Sequence, residues 1–193
     1  MTNPGGGSEA AAAPVQRVTP PPPPVIHYVP PQVSIAPGNR TDADRMMQAG
    51  TKAENESRLK DAIANYQGAV KLDPSDFEAC VALGMIALKA EEYSTALEAL
   101  NHAVLLKPDS ADARYGFAYA LQKKGYFQDA ADESEKLLAQ HPSETRAHLL
   151  VGNLYAQQLG QPDLAREHYK KVLDTDPHNA QATAIRFWLQ ANP

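Results

Sequence analysis

The sequence has a single cysteine, Cys80, among 193 residues. No intrachain disulfide and no cysteine-based metal site can form, and a lone thiol fits a reducing compartment. Basic residues are outnumbered, with 18 Lys and Arg against 23 Asp and Glu and a formal net charge of −5. Nucleic acid and anionic membranes both require a basic face, so neither is expected as a partner. No apolar run approaches the roughly 20 residues of a membrane span. The opening MTNPGGGSEAAAAPV lacks the basic start and apolar stretch of a signal peptide. These absences predict a cytoplasmic protein without membrane insertion.

Signatures of chemistry are also missing. NPGGGSEA has no strand before it and no lysine where a phosphate loop needs one. The histidines do not form the i, i+4 pair of a helical zinc site. His141 and His148 are separated by a turn and a helix start, and His168 and His178 flank a proline turn. No metal, cofactor or catalytic residue is therefore expected, and the protein is read as a non-enzyme. Cys80 reads as a small packed hydrophobe. Asp129, Asp132 and Glu133 read as a solvated helix face.

Proline is plentiful and unevenly spread. Ten of the 16 prolines precede Arg40, a stretch whose only charges are Glu9 and Arg17. From Thr41 onward Ala, Leu, Glu, Lys and Gln dominate, all strong helix formers. The composition predicts a disordered Pro/Gly/Ala-rich tail over residues 1–40 and a folded remainder large enough to bury a core.

The folded part is periodic. Pro74, Pro108, Pro142 and Pro177 are spaced by 34, 34 and 35 residues. Gly50, Gly84, Ala118 and Gly152 keep a spacing of 34, and Ala62, Ala96, Ala130 and Ala165 follow at 34, 34 and 35. The extra residue therefore lies between Gly152 and Ala165, where QLGQPD is turn-like. Small residues at fixed intervals let helix backbones approach, and a proline after each second helix ends it. Between the markers the apolar spacing is helical, as in Tyr93, Leu97, Leu100, Val104 and Leu105. Ser75 and Glu78 have the spacing of a capping box. Gly125 and Gly160 are placed to stop first helices, and Pro162 to begin a second one.

This pattern resembles the tetratricopeptide repeat, a 34-residue helix–turn–helix unit. The resemblance rests on Gly50/Ala62/Tyr66/Ala69/Pro74, Leu83/Gly84/Ala96/Ala103/Pro108, Ala130/Pro142 and Gly152/Tyr155/Ala165/Tyr169/Pro177. It implies an all-α, right-handed α-solenoid of four repeats at about 43–76, 77–110, 111–144 and 145–178, within 41–177. A capping helix over 179–190 would cover the last apolar face with Ala184, Ile185, Trp188 and Leu189. Trp188 seals the end in that reading; with Phe187 it alternatively offers a partner site. The sequence departs from the family at the bulky aromatic early in each first helix, where Met46, Cys80, Arg114 and His148 stand. Repeat 3 departs further, with Phe117-Ala118 for Leu-Gly and Ser134 at an aromatic column.

The family resemblance also implies a concave groove, lined by first helices, that binds an extended peptide. Its candidate residues here are Met47, Val81, Met85, Leu88, Tyr115, Tyr119, Arg146, Leu149 and Asn153. Most are apolar, and an exposed apolar row has no structural need to be so. The Lys and Asn that grip terminal carboxylates in chaperone-binding relatives are missing: Met47 and Thr51, or Val81 and Met85, occupy those positions. The groove is expected to take an apolar or proline-bearing peptide, in an adaptor or scaffold. Two alternatives share these features: a small acidic secretion chaperone, and a scaffold that self-assembles through its tail or capping helix. The tail itself contains PPPPPVIHYVPPQVSIAP at 20–37. Pro20–Pro24 is expected to form polyproline II, and the rest is uncharged and apolar. It reads as a linker, as a ligand for another protein, or as a ligand for the concave groove of its own chain or a second copy.

Overall fold

A computed structural model describes residues 25–33 and 35–193; the expected polyproline II run at 20–24 lies outside the described residues. Among the described residues there are nine helices and no strand. They are α1 (Arg40–Asn55), α2 (Leu59–Leu72), α3 (Phe77–Lys89), α4 (Tyr93–Leu106), α5 (Ala111–Lys123), α6 (Phe127–Gln140), α7 (Thr145–Gln157), α8 (Pro162–Thr175) and α9 (Ala182–Ala191). Each odd helix packs against the even helix that follows it, and each pair packs against the next. First helices also touch one another, α3 with α5 and α5 with α7, which makes them the inner row of a solenoid.

The small-residue column is explained by what faces it. A Cβ on Gly50 would come within 2.5 Å of the Tyr66 ring. One on Gly84 would fall on Leu100, and one on Gly152 would lie 3.0 Å from the Tyr169 ring. Tyr66, Leu100 and Tyr169 belong to one column of the repeat, and repeat 3 places Ser134 there. Ala118 has a Cβ in the repeat whose facing position is small, so these two departures compensate.

Turn geometry accounts for the spacing of 35. Repeats 1 to 3 end their first helix alike: Arg58, Glu92 and Tyr126 donate N–H to Ala53, Ala87 and Leu121, five residues back. In repeat 4, Gln161 donates to Tyr155, six residues back at 2.9 Å, and the extra residue is absorbed there. The left-handed residue in these turns is Gly125 (φ 84°) or Gly160 (φ 63°), but Ser57 (φ 57°) and Glu91 (φ 61°) occupy it in repeats 1 and 2. α8 begins at Pro162.

Two local expectations are corrected. Ser75 does not cap α3; Asp76 does, accepting from Ala79 N at 3.2 Å. Ser75 is instead drawn to Asp73, whose carboxylate accepts from its hydroxyl at 2.7 Å. In α9 the buried residues are Ala182 and Ile185, with Trp188 and Leu189 half-buried, and Ala184 faces outward.

Where the family has an aromatic, repeats 3 and 4 have buried hydrogen-bonding groups. Arg114 donates to Pro108 O and to Glu133, both at 2.6 Å. His148 donates from Nε2 to Pro142 O at 3.0 Å, the equivalent carbonyl one repeat on. Its Nδ1 lies 2.9 Å from His168 Nδ1, and His168 Nε2 lies 3.0 Å from Glu135 Oε1, so the two rings link α7 to the Glu135 carboxylate. Tyr155 completes the chain by donating to Glu135 at 3.1 Å. The His168 bond holds the Glu135 carboxyl below its ordinary range, and burial pushes His148 down.

Candidate protein-interaction surfaces

The nine candidate groove residues lie on the four first helices. Met47 is half-buried on α1, packing against the cluster that includes Ile63, Tyr66 and Leu83. On α3, Val81 and Leu88 are half-buried while Met85 is 46% exposed. Met85 leans toward α5, where its sulfur would lie 3.4 Å from a Cβ on Gly116. Tyr115 and Tyr119, one turn apart on α5, stack with ring centres 6.3 Å apart and planes 17° apart. Each ring carries a cation: the Arg146 guanidinium lies 4.8 Å from Tyr115, and the Lys123 ammonium 5.1 Å from Tyr119. Arg146 is held by Asp112 at 3.0 Å and Glu144 at 2.9 Å, and these acids raise its pKa. Burial pushes the Tyr115 phenol up, against the pull of Arg146. Leu149 is half-buried on α7. Asn153 is already engaged, its carbonyl accepting from Tyr169 OH at 2.8 Å. The structure thus brings Met85, Tyr115, Tyr119 and Arg146 together across α3, α5 and α7, and uses Asn153 partly to hold α8.

A second surface lies on the other side of α5. Phe117 and Leu121 are two residues beyond Tyr115 and Tyr119, about 200° around the helix. They floor a cleft between α4 and α6, and the tail enters it. Tyr28 packs on Phe117 (ring centres 5.9 Å apart) and Tyr126 (5.7 Å). Its backbone N–H donates to Asp129 Oδ2 at 2.5 Å, and His27 Nδ1 meets Asp129 Oδ1 at 2.7 Å. Burial, helped by Glu98, pushes the Tyr28 phenol up to about 12. The chain then passes Leu97 and Glu98 on α4, and Val33 lines a pocket together with Val70 of α2 and Ala99 of α4. Its far end is fixed where Gly38 N–H donates to Asp73 at 3.0 Å and Arg40 pairs with Asp76 at 3.1 Å. Only glycine fits at 38, since a Cβ there would strike Leu72 O.

This placement corrects the reading of the tail as a ligand for the concave groove of its own chain. The described segment lies along second helices, because its tyrosine finds its pocket on the Phe117 side of α5. It also corrects the reading of Asp129 and Glu133 as solvated: Asp129 binds the tail, and Glu133 bonds Arg114 and Lys136. Sequence reasoning missed this surface. Its trace was the departure at Phe117, which supplies the ring that Tyr28 meets.

Of the aromatic pair on α9, Trp188 packs edge-on against Tyr169 with ring centres 5.1 Å apart, whereas Phe187 is 73% exposed. Among the described residues, no helix is long and apolar enough to cross a membrane, and no group of three or more His, Cys, Asp or Glu is placed to hold a metal ion.

The fold has many counterparts. The crystal structure of MamA superposes with a TM-score of 0.65 at 26% identity, over 72% of this chain and 81% of that one. The structure of YrrB, described as a TPR protein with an unusual peptide-binding site, gives a TM-score of 0.70 at 23% identity, over 75% of this chain and 74% of that one. Among curated sequences, Protein O-mannosyl-transferase Tmtc3 of Drosophila melanogaster is 30% identical over 99 residues, 51% of this chain. DnaJ homolog subfamily C member 3 of Mus musculus is 29% identical over 107 residues, 55% of this chain. The matched regions make up only 11% and 21% of those two relatives. The tetratricopeptide-repeat family model matches residues 47–113, 81–134 and 115–180, and with the helix pairs and the glycine–ring column this places the chain in the tetratricopeptide repeat family.

Proposed function

We propose that the protein is a non-enzymatic adaptor or scaffold that holds an extended apolar or proline-bearing peptide on its concave face. Protein interaction is the general property of the fold; the choice of ligand rests on the row of side chains along the first helices. The observation that carries it is the Tyr115–Tyr119 stack, half-buried beside an exposed Met85 and crossed by Arg146. Stacked tyrosines offer wide, rigid apolar area at little entropic cost, with hydroxyls to bond a peptide backbone. Methionine adapts to varied shapes. Arg146, held by two acids, bounds the apolar row with a fixed charge, so the ligand has an acceptor at one end of its apolar stretch.

Changing Tyr115 and Tyr119 together to Ala is expected to abolish capture of the partner in a pulldown while leaving the helical circular-dichroism signal in place. Both rings are half-buried at the surface row and neither belongs to the fully buried core. Retained capture with intact helicity would show that the concave face is not the binding surface.

A further inference from the structure

The tail segment is held like a ligand. Its tyrosine is wedged between two rings, its backbone is read by a carboxylate, and its histidine shares the same carboxylate. Asp129 asks for an N–H at Tyr28, so proline is excluded there. Pro30 and Pro31 carry no amide hydrogen to donate, and they stiffen the segment before it docks. The segment carries no Asp, Glu, Lys or Arg, and His27 before the tyrosine hydrogen-bonds Asp129 in a cleft that Glu98 and Asp132 line together with Lys124 and Lys136, so a base at that position has an acceptor to meet.

The fit is incomplete. A cavity of about 210 Å³ remains beside Tyr28 and Pro30. Asn101, 7% exposed, lines it with an amide nitrogen that has no partner among the described residues, and the Tyr28 hydroxyl is buried and unpartnered in the same way. The chain's own segment thus leaves part of the cleft unfilled.

We propose that the cleft between α4 and α6 is a second peptide-binding site, that its ligand is a tyrosine followed by an aliphatic residue and two prolines with a base before it, and that residues 27–31 of this chain are its resident, displaceable occupant. The site lies on the opposite side of α5 from the concave groove, so the two readings stand or fall separately. Repeat 3, where Phe117 and Ser134 depart from the family pattern, is the repeat that carries it.

The test uses the full chain and a fluorescein-labelled peptide with the sequence of residues 25–33, followed by anisotropy. Tyr28→Ala unseats the resident segment and is expected to bind the peptide at least tenfold more tightly than the wild type, whose own tail competes. Adding Asp129→Asn, near-isosteric and at the solvent edge, is expected to reverse that gain at least tenfold. Peptide carrying Ala for the tyrosine is expected not to bind either chain. Absence of binding to the Tyr28→Ala chain overturns the proposal, as does binding that ignores Asp129→Asn. Loss of peptide binding when Tyr115→Ala and Tyr119→Ala are added to the Tyr28→Ala chain moves the site to the concave face and overturns it too. Hydrogen exchange gives an independent reading: the Tyr28 amide is expected to be protected in the wild type and released by Asp129→Asn alone, and equal exchange in both chains counts against the site.

Discussion

At the scale of single residues, the four loops inside the repeats solve one problem with different side chains. Each first helix ends by turning through the left-handed region. Repeats 3 and 4 use glycine there, while Ser57 and Glu91 take φ of 57° and 61°. An L-residue in that region is strained by about 1–2 kcal/mol, set against the extra entropy that glycine loses on folding, about 0.5–1 kcal/mol. Glu91 N–H still donates to Leu88 O at 3.1 Å, and Glu92 N–H to Ala87 O at 2.9 Å, so the turn is fully bonded and only the Cβ is misplaced. Glu91→Gly is therefore expected to stabilise the protein by about 0.5–1 kcal/mol, and Gly125→Ala to destabilise it by about 1 kcal/mol, in urea unfolding. A destabilised Glu91→Gly chain would mean that the Glu91 side chain contributes something that its exposed position does not show. Gly125 and Gly160 were legible as helix stops because glycine announces the conformation. Ser57 and Glu91 were not, because nothing in a serine or a glutamate signals a left-handed residue.

At the scale of helices, the period was legible and its fillings were not. The columns of Gly, Ala and Pro report backbone approach and chain reversal, which depend on residue size and can be read one position at a time. The positions that replace the family's aromatic cannot be read that way, since Arg114 and His148 depend on partners 19 and 20 residues away. His148 joins α7 to α8 through His168, and the chain of bonds ends on Glu135 of α6. Its pH behaviour follows. His148 is depressed by burial, so its contribution is fully present above the ordinary histidine value of about 6.5 and is lost as pH falls through the lower folded value. Glu135 is depressed by the His168 bond, so its share is present above its unfolded value and lost at still lower pH, below about 4.5. Both act in the same direction: acid loosens the α6–α7–α8 junction. Replacing His148 by Phe restores an aromatic to its family column and removes the first of these steps. The melting temperature of His148→Phe is expected to fall less between pH 7 and pH 5 than that of the wild type. Equal slopes would remove His148 as the source of acid sensitivity, whatever the variant does to stability at pH 7.

At the scale of the whole molecule, a solenoid is close to one-dimensional: each pair of helices is stabilised by its neighbours, and an uncovered end frays. The two ends of this chain are covered differently. Near the N-terminal end, the tail crosses α2, α4 and α6 between anchors at Asp73 and Asp129, adding a link along repeats 1 to 3 to the packing of each pair on the next. At the other end, α9 lays Ile185, Trp188 and Leu189 on the core cluster, and Arg166 of α8 donates to the carbonyls of Asn192 and Pro193 at 3.0 and 2.6 Å. The aromatic pair on α9 separates the two roles that a terminal helix can have. Trp188 meets Tyr169, the ring that packs under Gly152, so its loss should be felt through repeat 4. Phe187 meets solvent over most of its surface. Trp188→Ala is expected to cost about 2 kcal/mol, below the range for a fully buried ring because the indole is half-buried. Phe187→Ala is expected to stay within about 0.5 kcal/mol, as surface changes do. The pattern of damage is as informative as its size. In hydrogen exchange, Trp188→Ala should raise exchange in α7 and α8 while leaving α1 to α4 near wild type, because stability in a repeat array passes from neighbour to neighbour. Uniform acceleration along the chain would show instead that the tail, by bridging repeats 1 to 3, has made the array unfold as a single unit. A Phe187→Ala chain as damaged as Trp188→Ala would show that the exposed ring is covered in solution.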